Sequence, residues 1–369
     1  MHDTNHLREL HEAGQSIWLD FLRRDLITGG GLARLISDDG VTGVTSNPTI
    51  FAKAISGSSD YDDAIDRIAG RGTASPLDVF YELALTDIRM AADLFAPVYE
   101  QTAGADGFVS FELEPRLAHD VRQSIAAARD LVARIGRPNV MIKIPATTEG
   151  IEIVQELTAA GINVNITLLF SVDMYRKMVL AYQAGLERRL ADGLPLERIT
   201  SVASFFVSRI DTVVDPLLPE GSPLQGRVAI ANAKRAYQYF QHLFSGDGWT
   251  RLAQAGARVQ RPLWASTGTK NPAYSDVLYV EELVGRDTVN TMPEATLDAF
   301  RAHGRVRPGA VGEDGPETTV LLSLLAKQGI DLEDVARHLL NDGLAAFDAD
   351  LAKVVATIES KLEGVPPAA

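Results

Sequence analysis

The chain has 369 residues, of which 46% are hydrophobic and none is cysteine, and its formal net charge is −14. The lack of cysteine excludes disulfides, thiolate chemistry and cysteine metal sites, and the acidic balance disfavours nonspecific nucleic-acid binding. No apolar run approaches the ~18 residues that a membrane span needs, and the start MHDTNHLREL lacks a basic region followed by an apolar block. We therefore expect a cytoplasmic protein without a signal peptide or membrane segment.

Short β-rich segments recur between longer helical patterns. Eight are recognised: SIWLD ending at Asp20, VTGVTSN at Asn47, DGFVSFEL at Leu113, NVMIKIP at Pro145, NVNITLL at Leu169, SVASFF at Phe206, RPLWAST at Thr267 and DTVNTM at Met292. This alternation predicts a parallel sheet, and eight units fit a closed (β/α)8 TIM barrel. A doubly wound open sheet is the alternative, although GGG at 29–31 is not its usual G-x-G-x-x-G turn.

The helical segments carry recognisable boundaries. One is predicted to begin with Ser75 as N-cap and Pro76 at its first position, and another, EGIEIVQELTAAG, to stop at Gly161. From about residue 293 the chain reads as additional helices, a helical C-terminal extension that ends in the loose tail EGVPPAA. Because no linker interrupts the pattern, residues 1–369 are expected to form a single barrel domain with this extension packed on it.

Period-two alternation assigns polar side chains to the barrel interior. In the third strand Ser110 and Glu112 share a face, and in the fourth strand Met141, Lys143 and Pro145 share one. The same logic places polar groups of the other strands inside: Asp20 with Trp18, Asn47 with Thr45, Asn163 with Asn165 and Thr167, Ser204 with Phe206, and Ser266 with Trp264. These residues lie near the C-terminal ends of strands, where barrel enzymes place their chemistry. Asn, Ser and Thr at such positions also cap helices, so each alone is weak support for a site.

Lys143 is the least expected of these residues, because lysine is rarely buried without a partner. Burial penalises the ammonium form, and a neutral amine condenses with a carbonyl to give a Schiff base. Asp20 and Glu112 supply carboxylates from two other strands for acid–base roles. A purely structural ion pair between Lys143 and Glu112 is the alternative. The seven histidines are scattered without metal-ligand spacing, so no metal site is predicted.

The strand motifs resemble, in order and spacing, those of the transaldolase family, in its longer bacterial form. They are IWLD, GVTSNPTIF, VSFELEPRLA, IKIPAT followed by EGI, NVNITLLFS, ASFFVSRID and WASTGTKNP, between about residues 15 and 300. The resemblance implies a (β/α)8 barrel and a Schiff-base enzyme of the non-oxidative pentose phosphate pathway, with no cofactor. Such enzymes move a dihydroxyacetone unit from sedoheptulose 7-phosphate to glyceraldehyde 3-phosphate, giving erythrose 4-phosphate and fructose 6-phosphate.

By motif, the resemblance assigns four catalytic roles. Lys143 matches the Schiff-base lysine, and Asp20 matches the acid/base that handles the proton of the C4 hydroxyl. Glu112 matches the carboxylate that activates a catalytic water, and Thr167 the residue that positions this water.

The resemblance also implies substrate contacts. Asn47 and Asn165 match amides that hold hydroxyls of the dihydroxyacetone unit, while Ser204 and Phe206 match an active-site serine and a packed aromatic. Arg209 matches a phosphate-binding arginine at a helix start.

One stretch departs from the family pattern. After the seventh strand many members carry Ser-x-Arg, whereas this chain reads ASTGTKNP, so Ser266 aligns and the second phosphate arginine is missing. Lys270 is the natural replacement, although its ammonium lacks the bidentate fork of arginine, and it could instead be a solvated loop lysine.

Two further functions stay open at this point. The same lysine would also serve a simple aldolase that releases free dihydroxyacetone or cleaves fructose 6-phosphate. A catalytically silent sugar-phosphate-binding barrel is a third reading, which has no need of a buried lysine. A metal-dependent aldolase is weaker still because the sequence has no histidine cluster. The partners expected are phosphorylated sugars, and the chain is expected to be a monomer or a homodimer.

Overall fold

A computed structural model describes residues 5–70, 74–313 and 315–364 of the chain. Within these residues eight parallel strands close into a barrel in chain order, so the closed (β/α)8 TIM barrel is confirmed over the open sheet. Parts of the expected start and loose tail, residues 1–4 and 365–369, lie outside the described residues. Among the described helices, none combines the length and apolar character needed to cross a membrane.

Each strand coincides with one predicted segment. The strands are β1 (Gln15–Leu19), β2 (Gly43–Thr45), β3 (Phe108–Glu112), β4 (Val140–Pro145), β5 (Val164–Leu169), β6 (Ser201–Phe206), β7 (Gln260–Ala265) and β8 (Thr288–Met292). They are nearly continuous in buried residues, as expected for parallel strands covered by helices on one side and by the barrel interior on the other.

Helices separate and follow the strands. The α-helices are α1 (His6–Glu12), α2 (Arg24–Thr28), α3 (Gly31–Asp39), α4 (Pro48–Ser56), α5 (Asp62–Ala69), α6 (Pro76–Gln101), α7 (Val121–Ile135), α8 (Thr148–Ala159), α9 (Val172–Ala191), α10 (Ser208–Val214), α11 (Val228–Leu243), α12 (Asp247–Gln254), α13 (Leu278–Glu282), α14 (Glu294–His303), α15 (Gly315–Lys327) and α16 (Leu332–Glu363). Three 3-10 turns, η1 (Pro115–Leu117), η2 (Asp215–Leu217) and η3 (Ala310–Gly312), complete the described elements.

The predicted helix boundaries are confirmed. Ser75 caps α6 in a reciprocal capping box with Asp78, and Pro76 is the first helical residue. Helix α8 ends at Ala159, and Gly161 follows with a φ of +85° that favours glycine.

Strand register confirms the predicted interior face for most strands. Glu112 pairs with Lys143, and Lys143 pairs with Asn165, so these side chains lie on one side of three consecutive strands. The assignment of Trp264 to the interior is wrong. Trp264 pairs with Phe205 and meets its ring edge-on at 6.4 Å, and Phe205 in turn contacts Tyr175 of α9, so both face the helices.

A polar cluster lies at the N-terminal end of the barrel. Asp106 accepts hydrogen bonds from the hydroxyl of Ser16 and from Nε1 of Trp18, the latter at 2.9 Å. Arg261 of β7 reaches across to donate to Ser16 Oγ at 2.7 Å and lies 3.5 Å from the Asp106 carboxylate. These four buried or half-buried side chains come from three separate parts of the barrel wall and form its floor.

The C-terminal helix α16 lies against several segments at the opposite end of the barrel. It packs on α4 and α6, which follow β2, on α10, which follows β6, and on the end of β5. A hydrogen bond between Thr49 of α4 and Asp350, together with an ion pair between Asp62 and Lys361, fixes α16 along its length. The extension therefore contacts the same end of the barrel at which the strands terminate.

Candidate active site

Lys143 lies in the barrel interior with only 3% of its surface exposed. Its Nζ is 3.0 Å from Oε2 of Glu112 on the adjacent strand and donates a hydrogen bond of 3.1 Å to the backbone carbonyl of Ser46. The three residues follow β2 or belong to β3 and β4, so strand order alone brings them together. The predicted placement of Lys143 beside a carboxylate inside the barrel is thus observed.

The ion pair weighed as an alternative is present, and it is compatible with chemistry at the amine. Glu112 is 8% exposed, and burial raises the pKa of its carboxyl, an effect that the positive charge of Lys143 partly offsets. Because burial opposes both charges, transfer of one proton from the ammonium to the carboxylate leaves two neutral groups. Such a transfer gives the free amine that attack on a carbonyl requires.

Asp20 follows β1 and lies near the same cluster. Burial raises its pKa to about 6, and the positive charges of Lys143, Arg209, Lys270 and Lys53 partly offset that rise, in decreasing order. A carboxyl that titrates near 6 can both accept and return a proton near neutral pH.

Amide and hydroxyl groups line the interior next to Lys143. Asn165 donates to the hydroxyl of Ser110 at 2.9 Å and accepts from that of Ser204 at 2.6 Å. An amide has two N–H groups and two acceptor sites, so half of the capacity of Asn165 is left for a ligand. Thr167 is fully buried, and its Oγ1 has no hydrogen-bond partner among the described residues. A buried orphan hydroxyl two residues from Asn165 is suited to hold a water or a substrate oxygen.

Asn47 has the capping role that the sequence allowed for it, and the cap leaves its amide nitrogen for a ligand. Its Oδ1 caps α4 by accepting from the backbone N–H of Ile50 at 2.9 Å, which is the structural role. The cap occupies the carbonyl oxygen and fixes the side chain, so the amide nitrogen is held in place to donate to a ligand.

Arg209 lies in the first turn of α10, where the sequence predicted it. Its guanidinium is 5.2 Å from the centre of the Phe206 ring, and that ring packs against Phe170 at 5.4 Å. Burial lowers the pKa of Arg209, and the charges of Asp20 and Glu112 oppose that effect. No carboxylate within the described parts of the chain forms an ion pair with it. A half-buried arginine that is held by an aromatic face and lacks an acidic partner is suited to bind an anion.

Ser266 and Lys270 belong to the segment that follows β7. Ser266 has a φ of +56°, and its hydroxyl is 3.0 Å from that of Ser208, the residue before Arg209. Lys270 is exposed, and its positive charge acts to lower the pKa of Asp20. The hydroxyl of Tyr274 donates to Asp215 at 2.7 Å, so the segment that carries Lys270 is tied to the turn after α10. The two predicted phosphate-binding cations therefore lie on connected segments.

Two contacts were not identified from the sequence. Ser46 acts through its backbone carbonyl, which any residue would supply, so no side-chain signal could have revealed it. Ser110 lies on the predicted interior face, so the alternation pattern did indicate it. Its hydrogen bond with Asn165, however, spans β4 and does not follow from the pattern of any one strand. Among the described residues, no group of three or more His, Cys, Asp or Glu side chains is arranged to hold a metal ion.

Comparisons with known proteins find similarity over nearly the whole chain. The family model described as "Transaldolase/Fructose-6-phosphate aldolase" matches residues 17–358. A transaldolase of Saccharopolyspora erythraea is 49% identical over 98% of this chain and 99% of its own. Transaldolase 1 of Streptomyces avermitilis is 46% identical over 96% of both chains, and a transaldolase of Acidothermus cellulolyticus is 46% identical over 98% of both.

Proposed function

The chain belongs to the transaldolase/fructose-6-phosphate aldolase family, and from this premise we propose that it is a transaldolase that works through a Schiff base on Lys143. It transfers a dihydroxyacetone unit from sedoheptulose 7-phosphate to glyceraldehyde 3-phosphate, giving erythrose 4-phosphate and fructose 6-phosphate. The observation that carries the assignment is the buried Lys143 amine, 3.0 Å from Glu112 and within the electrostatic influence of Asp20.

Schiff-base formation begins with the proton transfer from Lys143 to Glu112. The amine nitrogen then adds to C2 of the ketose. The former carbonyl oxygen receives one proton from that nitrogen and the one that Glu112 returns, and it leaves as water. The product is an iminium that joins Nζ to C2. Glu112 and the orphan hydroxyl of Thr167 are the groups suited to guide the water that departs here and returns at hydrolysis.

Carbon–carbon cleavage uses Asp20 as the base. Its carboxylate takes the proton of the C4 hydroxyl, the C4–O electrons form an aldehyde, and the C3–C4 bonding pair moves towards the iminium to give an enamine. The released aldehyde is replaced by the acceptor aldehyde. C3 of the enamine then attacks that aldehyde, Asp20 returns its proton to the new hydroxyl, and water hydrolyses the iminium. The raised pKa of Asp20, about 6, fits a group that works in both directions.

Substrate recognition is assigned to groups around this centre. Asn47 and Asn165, with Ser204, hold hydroxyls of the three-carbon unit in this proposal, which is supported by the hydrogen-bonding capacity left on the two amides. Arg209 supplies the main phosphate contact, supported by the Phe206 ring, and Ser266 and Lys270 add to it from the neighbouring segment.

Three broader features complete the proposal. The chain acts as a single barrel domain, since α16 packs on helices that follow several strands. It works in the cytoplasm, in keeping with its lack of cysteine. It needs no cofactor, and it is a monomer or a homodimer.

Borohydride trapping tests the assignment directly. Reduction in the presence of fructose 6-phosphate should attach the three-carbon unit to Lys143, as read by peptide mass, and Lys143→Ala should lose both the adduct and turnover. Lys327→Ala, a change at an exposed lysine of α15, is the matched control and should behave as the parent. Turnover retained in Lys143→Ala, or an adduct on another lysine, would refute the mechanism.

An acceptor assay separates transferase from simple aldolase. With fructose 6-phosphate as donor, added erythrose 4-phosphate should give sedoheptulose 7-phosphate at a rate well above the release of free dihydroxyacetone. Equal rates with and without acceptor would identify the enzyme as a fructose 6-phosphate aldolase instead.

A further inference from the structure

The backbone at the end of β5 departs from regular strand geometry. Leu168 has a φ of +55°, a left-handed conformation that is unusual for a bulky residue. The ladder between β5 and β6 shifts register between Ile166 and Leu169, so Leu168 lies in a bulge. The residue directly before it is Thr167, the hydroxyl to which water handling is assigned.

Gly343 of α16 lies directly against this bulge. A Cβ built on Gly343 would be 2.7 Å from Cδ2 of Leu168, 3.2 Å from Cδ1 and 3.5 Å from Cγ, so the whole end of the leucine side chain rests on the glycine. Leu168 is 1% exposed and Gly343 is buried as well. A side chain of any size at 343 would therefore displace Leu168.

The hydroxyl of Thr167 has only the backbone to orient it among the described residues. Its Oγ1 makes no hydrogen bond within the described residues, so no partner side chain fixes it. Its position is set by the β5 backbone, which pairs regularly with β4 through Thr167, where the carbonyl accepts from Ala146 N–H at 2.9 Å, and loses register with β6 between Ile166 and Leu169. An unusual backbone conformation persists only when its surroundings hold it, and here the leucine is held by α16.

We propose that Gly343 is a positioning residue for the reaction. Because Gly343 has no side chain, Leu168 packs against α16, and this packing holds the β5 bulge and so orients the hydroxyl of Thr167. The C-terminal extension thus takes part in catalysis without contacting substrate. The inference rests on the proposed function, because Thr167 matters only if water is handled during Schiff-base chemistry.

Gly343→Ala is the primary test. Helix propensity alone predicts equal or higher thermal stability, since alanine favours a helix over glycine. The proposal predicts that Schiff-base formation, measured by single-turnover borohydride trapping, slows by roughly 10- to 100-fold, the scale of a misplaced reacting group. The KM for fructose 6-phosphate should change little. Gly248→Ala in α12, where an added Cβ meets nothing within 4 Å, is the matched control and should trap at the parent rate.

A double variant distinguishes positioning from general damage. Leu168→Ala removes the other side of the same contact, so it should also slow trapping, and the double variant Gly343→Ala/Leu168→Ala should trap no more slowly than the slower of the two single variants. Slowing that multiplies in the double variant, or a Gly343→Ala enzyme that traps at the parent rate, would overturn the inference.

Thr167→Ala separates this failure from that of the proposed function. If Thr167→Ala traps slowly and Gly343→Ala does not, the positioning role is wrong and the water role stands. If Thr167→Ala traps at the parent rate, the assigned role of Thr167 is itself wrong, and the positioning role is refuted with it.

Discussion

Replacing Asp20 by asparagine should stabilise the protein while abolishing its activity. Burial raises the pKa of Asp20 from 3.8 to about 6, despite four nearby cations. The difference of roughly 2.2 pH units, at about 1.4 kcal/mol per unit, corresponds to about 3 kcal/mol. Because the folded state binds this proton more tightly than the unfolded state does, the stability linked to Asp20 is full below pH 3.8 and is lost as the pH rises through 6.

An amide of the same shape does not ionise and so avoids that loss. Asp20→Asn should therefore raise the free energy of unfolding at pH 7 by up to about 3 kcal/mol, and the gain should shrink towards zero as the pH approaches 4. Urea unfolding at pH 7 and at pH 4.5 measures both values. Carbon–carbon cleavage should be lost, while the borohydride adduct with fructose 6-phosphate should still form on Lys143.

Asp60→Asn is the matched control, because Asp60 is exposed and the same chemical change there should leave the pH dependence of stability as in the parent. The electrostatic reasoning would be refuted if Asp20→Asn were less stable than the parent at pH 7. It would also be refuted if the stability difference between variant and parent were the same at pH 7 and at pH 4.5. Unimpaired cleavage would refute the assigned role of Asp20.

Two further changes address the phosphate end of the site. Arg209→Ala should raise the KM for phosphorylated donors by an amount typical of a lost charged hydrogen bond, about 1.5–3 kcal/mol, in steady-state assays; the same effect on unphosphorylated fructose would count against a phosphate contact. Tyr274→Phe removes the hydrogen bond to Asp215 and should release the segment that carries Lys270, raising the same KM a few-fold with kcat little changed. If kcat falls instead, Tyr274 does not act through the phosphate-binding segment.

Local pattern was enough to predict most of the barrel. Alternation identified the interior face wherever a strand had one polar and one apolar set, as in the strand with Ser110 and Glu112. It failed in β7, where the residues on both faces are largely apolar and Trp264 fits either side by size. Ser266 then adopts a left-handed backbone conformation, so counting back from it by twos gives the wrong face.

Non-local packing accounts for what the sequence did not reveal. The sequence at the end of β5 has the pattern of an ordinary apolar strand, and it gives no indication that Leu168 adopts a positive φ. In the sequence, Gly343 is a destabilising residue in a long helix. Its contact with Leu168 becomes visible only in the packing of α16 against β5. Likewise, the family motifs supplied the role of Lys143, whereas the contact with the carbonyl of Ser46 required the fold.

The floor formed by Ser16, Trp18, Asp106 and Arg261 has a kinetic consequence. Because side chains fill the interior of a (β/α)8 barrel below its active site, the donor, the departing aldehyde and the incoming acceptor all share the opposite end. The first product must vacate it before the second substrate can enter, which dictates a ping-pong order of events. In that interval the three-carbon fragment stays bound to the enzyme, and its lifetime against hydrolysis sets how much of it is transferred to the acceptor instead of being released as free dihydroxyacetone.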